Sequence, residues 1–133
     1  MNRIEYSGKC AALRIIVLLL WVTGVLWLSL TPSPPSLSSD LLSWDKLRHA
    51  VAYALMTLLA GRVFVLFALT PRRGWIWAAV FALAFGGLTE AAQGMLSEVR
   101  QAEFGDMLAN AGGAVIVLAT VFARTQLTKR RKL

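Results

Sequence analysis

Four long apolar runs with almost no internal charge constrain this chain more than any other feature. The runs cover residues 11–30, 47–69, 75–96 and 106–123. A helix needs roughly 20 mostly apolar residues to cross the ~30 Å hydrocarbon core of a bilayer. The apolar share of the whole chain is 57%, above the roughly 45–50% typical of soluble domains. We therefore predict an all-α polytopic membrane protein, a four-transmembrane-helix bundle that forms one domain over residues 1–133.

The basic residues predict the orientation of this bundle. The formal net charge is +7, and most Lys and Arg residues flank the apolar runs on the side shared by both termini and the second connection. Cytoplasmic loops of membrane proteins carry an excess of Lys and Arg, so we expect a multi-pass protein with cytoplasmic N- and C-termini. This flanking distribution also argues against a nucleic-acid partner, which would need a basic stripe or patch. The residues are Arg3, Lys9, Arg14, Arg62, Arg72, Arg73, Arg124 and 129–132.

The cysteine and histidine content limits disulfide and metal chemistry. Cys10 is the only cysteine and His49 the only histidine. One cysteine cannot form an intramolecular disulfide. One cysteine and one histidine also fall short of the three or four protein ligands of the usual zinc sites. We therefore expect neither a metal nor a cofactor.

Polar residues recur at helical spacing at one end of three predicted spans. Residues three or four apart share a helix face, and the order of the spans places the three polar faces on the same side of the membrane. Ionisable groups at membrane depth are costly and commonly functional, so we predict a ligand-binding site there. Its residues are Asp45, Lys46, His49, Tyr53, Glu90, Gln93, Arg100, Asp106 and Asn110.

Two interpretations of this polar set remain open. In the first, the carboxylates neutralise nearby Lys and Arg side chains, and the set is a network that locks three helices together. In the second, the set is a binding site at the outer leaflet. The gathering of all these groups on one side, while the first apolar run stays nearly free of them, favours the second interpretation.

The spacing of these residues resembles that of the VanZ-like family of small bacterial membrane proteins. The resemblance implies a protein of the bacterial cell (inner) membrane, from a family linked to reduced susceptibility to the glycopeptide teicoplanin. It implies that the matched polar residues matter, and it supplies no reaction. The matching pieces, within residues 44–113, are Asp45-Lys46-x-x-His49-x-x-x-Tyr53, Glu90-x-x-Gln93, Arg100 and Asp106-x-x-x-Asn110-x-Gly112.

Several functions are compatible with the polar set. The first is a non-catalytic protein that binds an amphiphilic ligand, such as a membrane lipid or a lipid-linked envelope precursor, and modulates the envelope or teicoplanin susceptibility. The second is a membrane enzyme in which His49 and Glu90 act as base and acid on a headgroup, while Lys46 and Arg100 hold its phosphate or carboxylate. A transporter is less well supported, because the carboxylates cluster near one surface. A purely structural subunit is the remaining possibility. The sequence does not predict the oligomeric state.

Overall fold

The computed structural model describes residues 3–31, 45–96 and 104–130. These residues form four α-helices and, within the same three segments, no β-strand. The prediction of an all-α protein is therefore confirmed for the described part of the chain. The helices are α1 Arg3–Leu30, α2 Asp45–Phe64, α3 Pro71–Leu96 and α4 Phe104–Arg130.

Three of the helices are long and apolar enough to cross a membrane. The apolar stretches are Gly8–Leu30 in α1, with 23 residues, and Pro71–Met95 and Phe104–Thr128 in α3 and α4, with 25 residues each. The outer surface of the bundle exposes large apolar side chains, including Leu20 at 69% and Leu88 at 70%. Lipid tails are as apolar as leucine and solvate such a surface. The chain is therefore a membrane protein with transmembrane helices.

The second helix is shorter than the other three and carries a charged residue near each end. With 20 residues, α2 is about 30 Å long at 1.5 Å per residue. It carries Asp45 in its first turn and Arg62 in its last, and it is not among the described helices that are apolar enough to span. Three of the four predicted spans are thus supported by length and composition, and α2 as the fourth stays a prediction.

The turn between α2 and α3 lies earlier than the sequence predicts. We expected the second span to continue to residue 69, whereas α2 ends at Phe64 and α3 begins at Pro71. The N–H of Ala68 donates to the Phe64 carbonyl at 2.9 Å. Thr70 caps α3, because its hydroxyl accepts the N–H of Arg73 at 3.3 Å, and a proline in the first helical position loses no hydrogen bond. The turn is itself apolar, so hydrophobicity alone did not reveal it.

Close backbone packing holds α2 at the centre of the bundle. This helix contacts each of the other three. A Cβ placed on Gly113 of α4 would collide with the carbonyl oxygen of Ala50 of α2, so these two backbones touch directly. Ala78 and Ala82 of α3 are fully buried in apolar clusters shared with α2. Small residues commonly allow such close approach between membrane helices, and here they bring the polar ends of three helices together.

Candidate functional site

His49 lies at the centre of a polar cluster formed by α2 and α4. Its Nδ1 atom is 3.1 Å from Oδ1 of Asn110. Its Nε2 atom is 3.5 Å from Oδ2 of Asp106 and 3.9 Å from Oδ2 of Asp45. Because the amide oxygen of Asn110 can only accept a hydrogen bond, Nδ1 of His49 carries a proton in this arrangement. The structure therefore brings four of the predicted site residues into one cluster.

Two cations flank the carboxylates of this cluster. Nζ of Lys46 lies 3.7 Å from Oδ1 of Asp106, and the Arg48 guanidinium pairs with Oδ1 of Asp45. Each carboxylate thus meets a cation through Oδ1 and directs Oδ2 toward His49. Arg48 was not among the predicted site residues. Its three-residue spacing from Asp45 was the available signal, because such pairs meet on a helix surface.

Tyr53 lies one helical turn from His49 and joins α2 to α3. Its hydroxyl is 2.9 Å from Oγ1 of Thr89, and the Thr89 hydroxyl donates to the carbonyl of Gly86 at 2.9 Å. A threonine hydroxyl has a single proton, so Tyr53 is the donor to Thr89. Thr89 was not among the predicted site residues, although Thr89 lies four residues before Gln93. Residues three or four apart share a helix face, so this spacing would have included Thr89.

Glu90 and Gln93 are both buried on α3. Nε2 of Gln93 donates to the backbone carbonyl of Ser29 at 2.7 Å. Carbonyls in the last turn of a helix lack an intrahelical partner, so this bond satisfies the end of α1 and ties it to α3. Gln93 therefore has a structural contact in this arrangement. Glu90 lies on α3, whereas the hydrogen-bond and ion-pair partners of His49 come from α2 and α4.

The last predicted site residue, Arg100, lies outside the described residues. The other predicted residues fall into three groups according to their partners. The first surrounds His49, the second is the Tyr53–Thr89 contact, and the third is the buried pair on α3. In chain order these residues are Asp45, Lys46, His49, Tyr53, Glu90, Gln93, Asp106 and Asn110.

An apolar crevice opens beside the cluster, between α3 and α4. Its volume is about 230 Å³. Asn110 belongs both to its lining and to the His49 cluster, and Nδ2 of Asn110 is buried without a hydrogen-bond partner in the described structure. The apolar crevice and the polar cluster are therefore neighbours that share Asn110. The lining residues are Leu83, Gly87, Phe104, Met107, Leu108, Asn110 and Ala111.

Comparisons of the chain with protein-family models, with curated proteins and with solved structures find no match. The resemblance to the VanZ-like family thus stays a prediction from the motif residues.

Proposed function

We propose that this chain binds an amphiphilic or lipid-linked envelope ligand at the outer leaflet of the bacterial inner membrane, as a four-span protein related to the VanZ-like family. The observation that carries the proposal is the buried, cation-flanked cluster around His49, which shares Asn110 with the apolar crevice between α3 and α4. Such a surface matches a ligand that has a charged headgroup and a hydrocarbon chain.

The burial of the cluster favours a binding site over a purely structural network. Asp106 is 6% exposed and Asn110 2%, in a bundle whose exterior is apolar. Buried ion pairs are weak contributors to stability, because desolvation offsets much of their attraction. Helices can be held together by apolar packing and by neutral groups at lower cost. Ionisable residues within transmembrane segments are therefore a functional-site hypothesis by default.

The flanking cations supply headgroup contacts. The side chain of Lys46 is 43% exposed, and Arg48 is also partly exposed. Both reach the open end of the cluster, where charge-assisted hydrogen bonds to a phosphate or carboxylate are strong. The neighbouring crevice would take part of an acyl or polyprenyl chain.

The distribution of arginines supports the proposed orientation, with both termini cytoplasmic and α2 crossing the membrane. At the end of the bundle opposite the cluster, Nη1 of Arg14 donates to the carbonyl of Arg62 at 3.2 Å. Arg72 lies over the ring of Phe122, 5.8 Å from its centroid. Arginines from three helices thus lie away from the cluster, as the positive-inside rule requires of a cytoplasmic face.

Native mass spectrometry tests the proposal. The full chain in mild detergent is incubated with a bacterial polar-lipid extract supplemented with polyprenyl phosphate, and retained adducts are compared between variants. We expect Asp106→Asn and Lys46→Gln to lose an adduct that the wild type keeps. Thr57→Ala is the matched control, because Thr57 is a buried polar residue whose hydroxyl donates to the Tyr53 carbonyl within α2. Identical adducts in all variants, or unfolding of the Asp106→Asn and Lys46→Gln variants, would favour the interpretation that the polar residues lock the helices together.

The alternative function, an enzyme that uses His49 and Glu90 as base and acid, is separated from binding by the fate of the ligand. Turnover would be established if the wild type releases a chemically changed ligand and the Glu90→Gln variant releases the ligand unchanged. A ligand recovered intact from the wild type supports binding alone. A role in teicoplanin susceptibility stays a prediction of the family resemblance.

A further inference from the structure

Three metal-binding side chains converge in the His49 cluster. Asp45, His49 and Asp106 each offer one ligand atom, and these atoms all lie within 4.8 Å of one another. We propose that these three residues form a site for a divalent first-row transition-metal ion, of which Mn²⁺ and Zn²⁺ are the representative cases. The proposal does not depend on the lipid-linked ligand proposed above.

The geometry of the three donor atoms is close to that of a metal site. Ligand atoms at about 2.0–2.2 Å from a metal are separated from one another by roughly 3–3.5 Å. Nε2 of His49 is already 3.5 Å from Oδ2 of Asp106, and its 3.9 Å distance to Oδ2 of Asp45 is only a few tenths of an ångström longer. Side-chain rotation of Asp45, which is half-exposed, would close the remaining gap.

The charges of the cluster favour a positive ion at the point where the three metal-ligand atoms converge. Nδ1 of His49 is engaged by Asn110, and Nε2 faces two carboxylate oxygens, one from Asp45 and one from Asp106. In the neutral tautomer that carries its proton on Nδ1, the three converging atoms are all hydrogen-bond acceptors and repel one another. A metal ion relieves this repulsion, and metal-bound histidines commonly donate their other N–H to a protein oxygen, as His49 does to Asn110.

The burial of Asp106 is an independent observation in favour of a bound cation. Its side chain is 9% exposed, and its Oδ1 atom is buried without a hydrogen bond in the described structure. The neighbouring ammonium of Lys46, at 3.7 Å, lies beyond hydrogen-bond distance. A buried carboxylate with an oxygen that accepts no hydrogen bond is costly, and a cation bound to its other oxygen, Oδ2, would offset part of that cost.

The ligand set indicates the class of metal. Imidazole nitrogen suits zinc and other first-row transition metals, and carboxylate oxygen suits manganese, magnesium and calcium. One nitrogen with two oxygens therefore favours a divalent first-row ion. Three protein ligands leave coordination positions open, as in catalytic metal sites. Because the Asp45 side chain is 45% exposed, these positions face the open end of the cluster, where water or an anionic oxygen would fill them.

This inference departs from the expectation that the chain holds no metal. That expectation counted cysteine and histidine alone. The structure adds two carboxylates to the single histidine, one from the same helix and one from α4, and so completes a set of three ligands.

The alternative to a metal ion between the carboxylates is a proton on Nε2 of His49. Metal titration distinguishes these two possibilities. The full chain, purified in detergent with a tag that lacks histidine and stripped of metal by a chelator, is titrated with MnCl₂ while the signal of free Mn²⁺ is followed by electron paramagnetic resonance. We expect saturation at one Mn²⁺ per chain. His49→Gln and Asp106→Asn should each weaken binding by more than about tenfold, the loss that even outer-shell changes cause at metal sites.

Lys46→Gln provides a test in the opposite direction. The ammonium of Lys46 competes with a metal for Asp106, so removal of this ammonium should tighten Mn²⁺ binding. The control variant Thr57→Ala should leave Mn²⁺ binding unchanged. If Asp106→Asn does not fold, the half-exposed Asp45→Asn takes its place. Absence of saturable binding by the wild type, or equal binding by all variants, would overturn the metal site. Neither result bears on the lipid adducts, which are measured separately in metal-free buffer.

Discussion

The contact between α2 and α4 can be tested with two adjacent glycines. Gly113 is buried, and a Cβ added there would collide with the carbonyl oxygen of Ala50 and lie 2.9 Å from the N–H nitrogen of Ala54. Both neighbours are backbone atoms, which cannot rotate away as a side chain can. Gly112, one residue earlier on the same helix, has nothing within 4 Å of its added Cβ. The same substitution, glycine to alanine, therefore tests packing at one position and helix propensity alone at the other.

The expected magnitudes follow from these surroundings. Replacing a helical glycine by alanine gains up to about 1 kcal/mol in helix propensity, so Gly112→Ala should be neutral or slightly stabilising. Forcing an extra methyl group into a tightly packed contact costs about 1–3 kcal/mol, and the unyielding backbone on the far side places Gly113→Ala at the upper end. We expect Gly113→Ala to be less stable than Gly112→Ala by about 2 kcal/mol or more.

Thermal unfolding in detergent, followed by circular dichroism, measures this difference, and Mn²⁺ titration measures its effect on the site. Pushing α4 away from α2 moves Asp106 and Asn110 away from His49, so Gly113→Ala should also weaken Mn²⁺ binding while Gly112→Ala does not. Equal stability and equal Mn²⁺ affinity in the two variants would refute the reasoning that this backbone contact positions the cluster.

Two further substitutions separate structural contacts from ligand contacts. Tyr53→Phe removes the donor to Thr89 and should lower the free energy of unfolding by about 0.5–1.5 kcal/mol, the net value of a typical hydrogen bond; an unchanged unfolding transition would show that this bond contributes nothing. Gln93→Leu removes the donor to the carbonyl of Ser29 and should likewise cost about 0.5–1.5 kcal/mol without loss of the lipid adduct. Loss of that adduct at unchanged stability would instead identify Gln93 as a ligand contact.

The sequence by itself determined the features that depend on local periodicity. Long apolar runs require helices, because a backbone in lipid must satisfy its own hydrogen bonds, and each of the four long apolar runs forms a helix, although the helix of the second run ends at Phe64. The four-residue spacing of Asp45 and His49, and of Asp106 and Asn110, predicted that each pair shares a face. The contact between Asp45 and His49 in the structure follows from that spacing.

The end of α2 could not be read from the sequence, because the turn after Phe64 is as apolar as the helix before it. Thr89 was missed for a different reason. The predicted polar face of α3 was defined by its carboxylate and amide alone, and Thr89 was left out although its four-residue spacing from Gln93 places it on the same face.

Only the tertiary structure decided which donor atoms meet. Distances between side chains on different helices depend on the rotation and register of α4 against α2, and sequence spacing within one helix does not fix either quantity. Here the contact of Gly113 with Ala50 determines the rotation and register of α4, and Asp106 therefore lies next to His49. For that reason a count of residue types predicted no metal ligands, whereas the packed helices place two carboxylates beside a single imidazole.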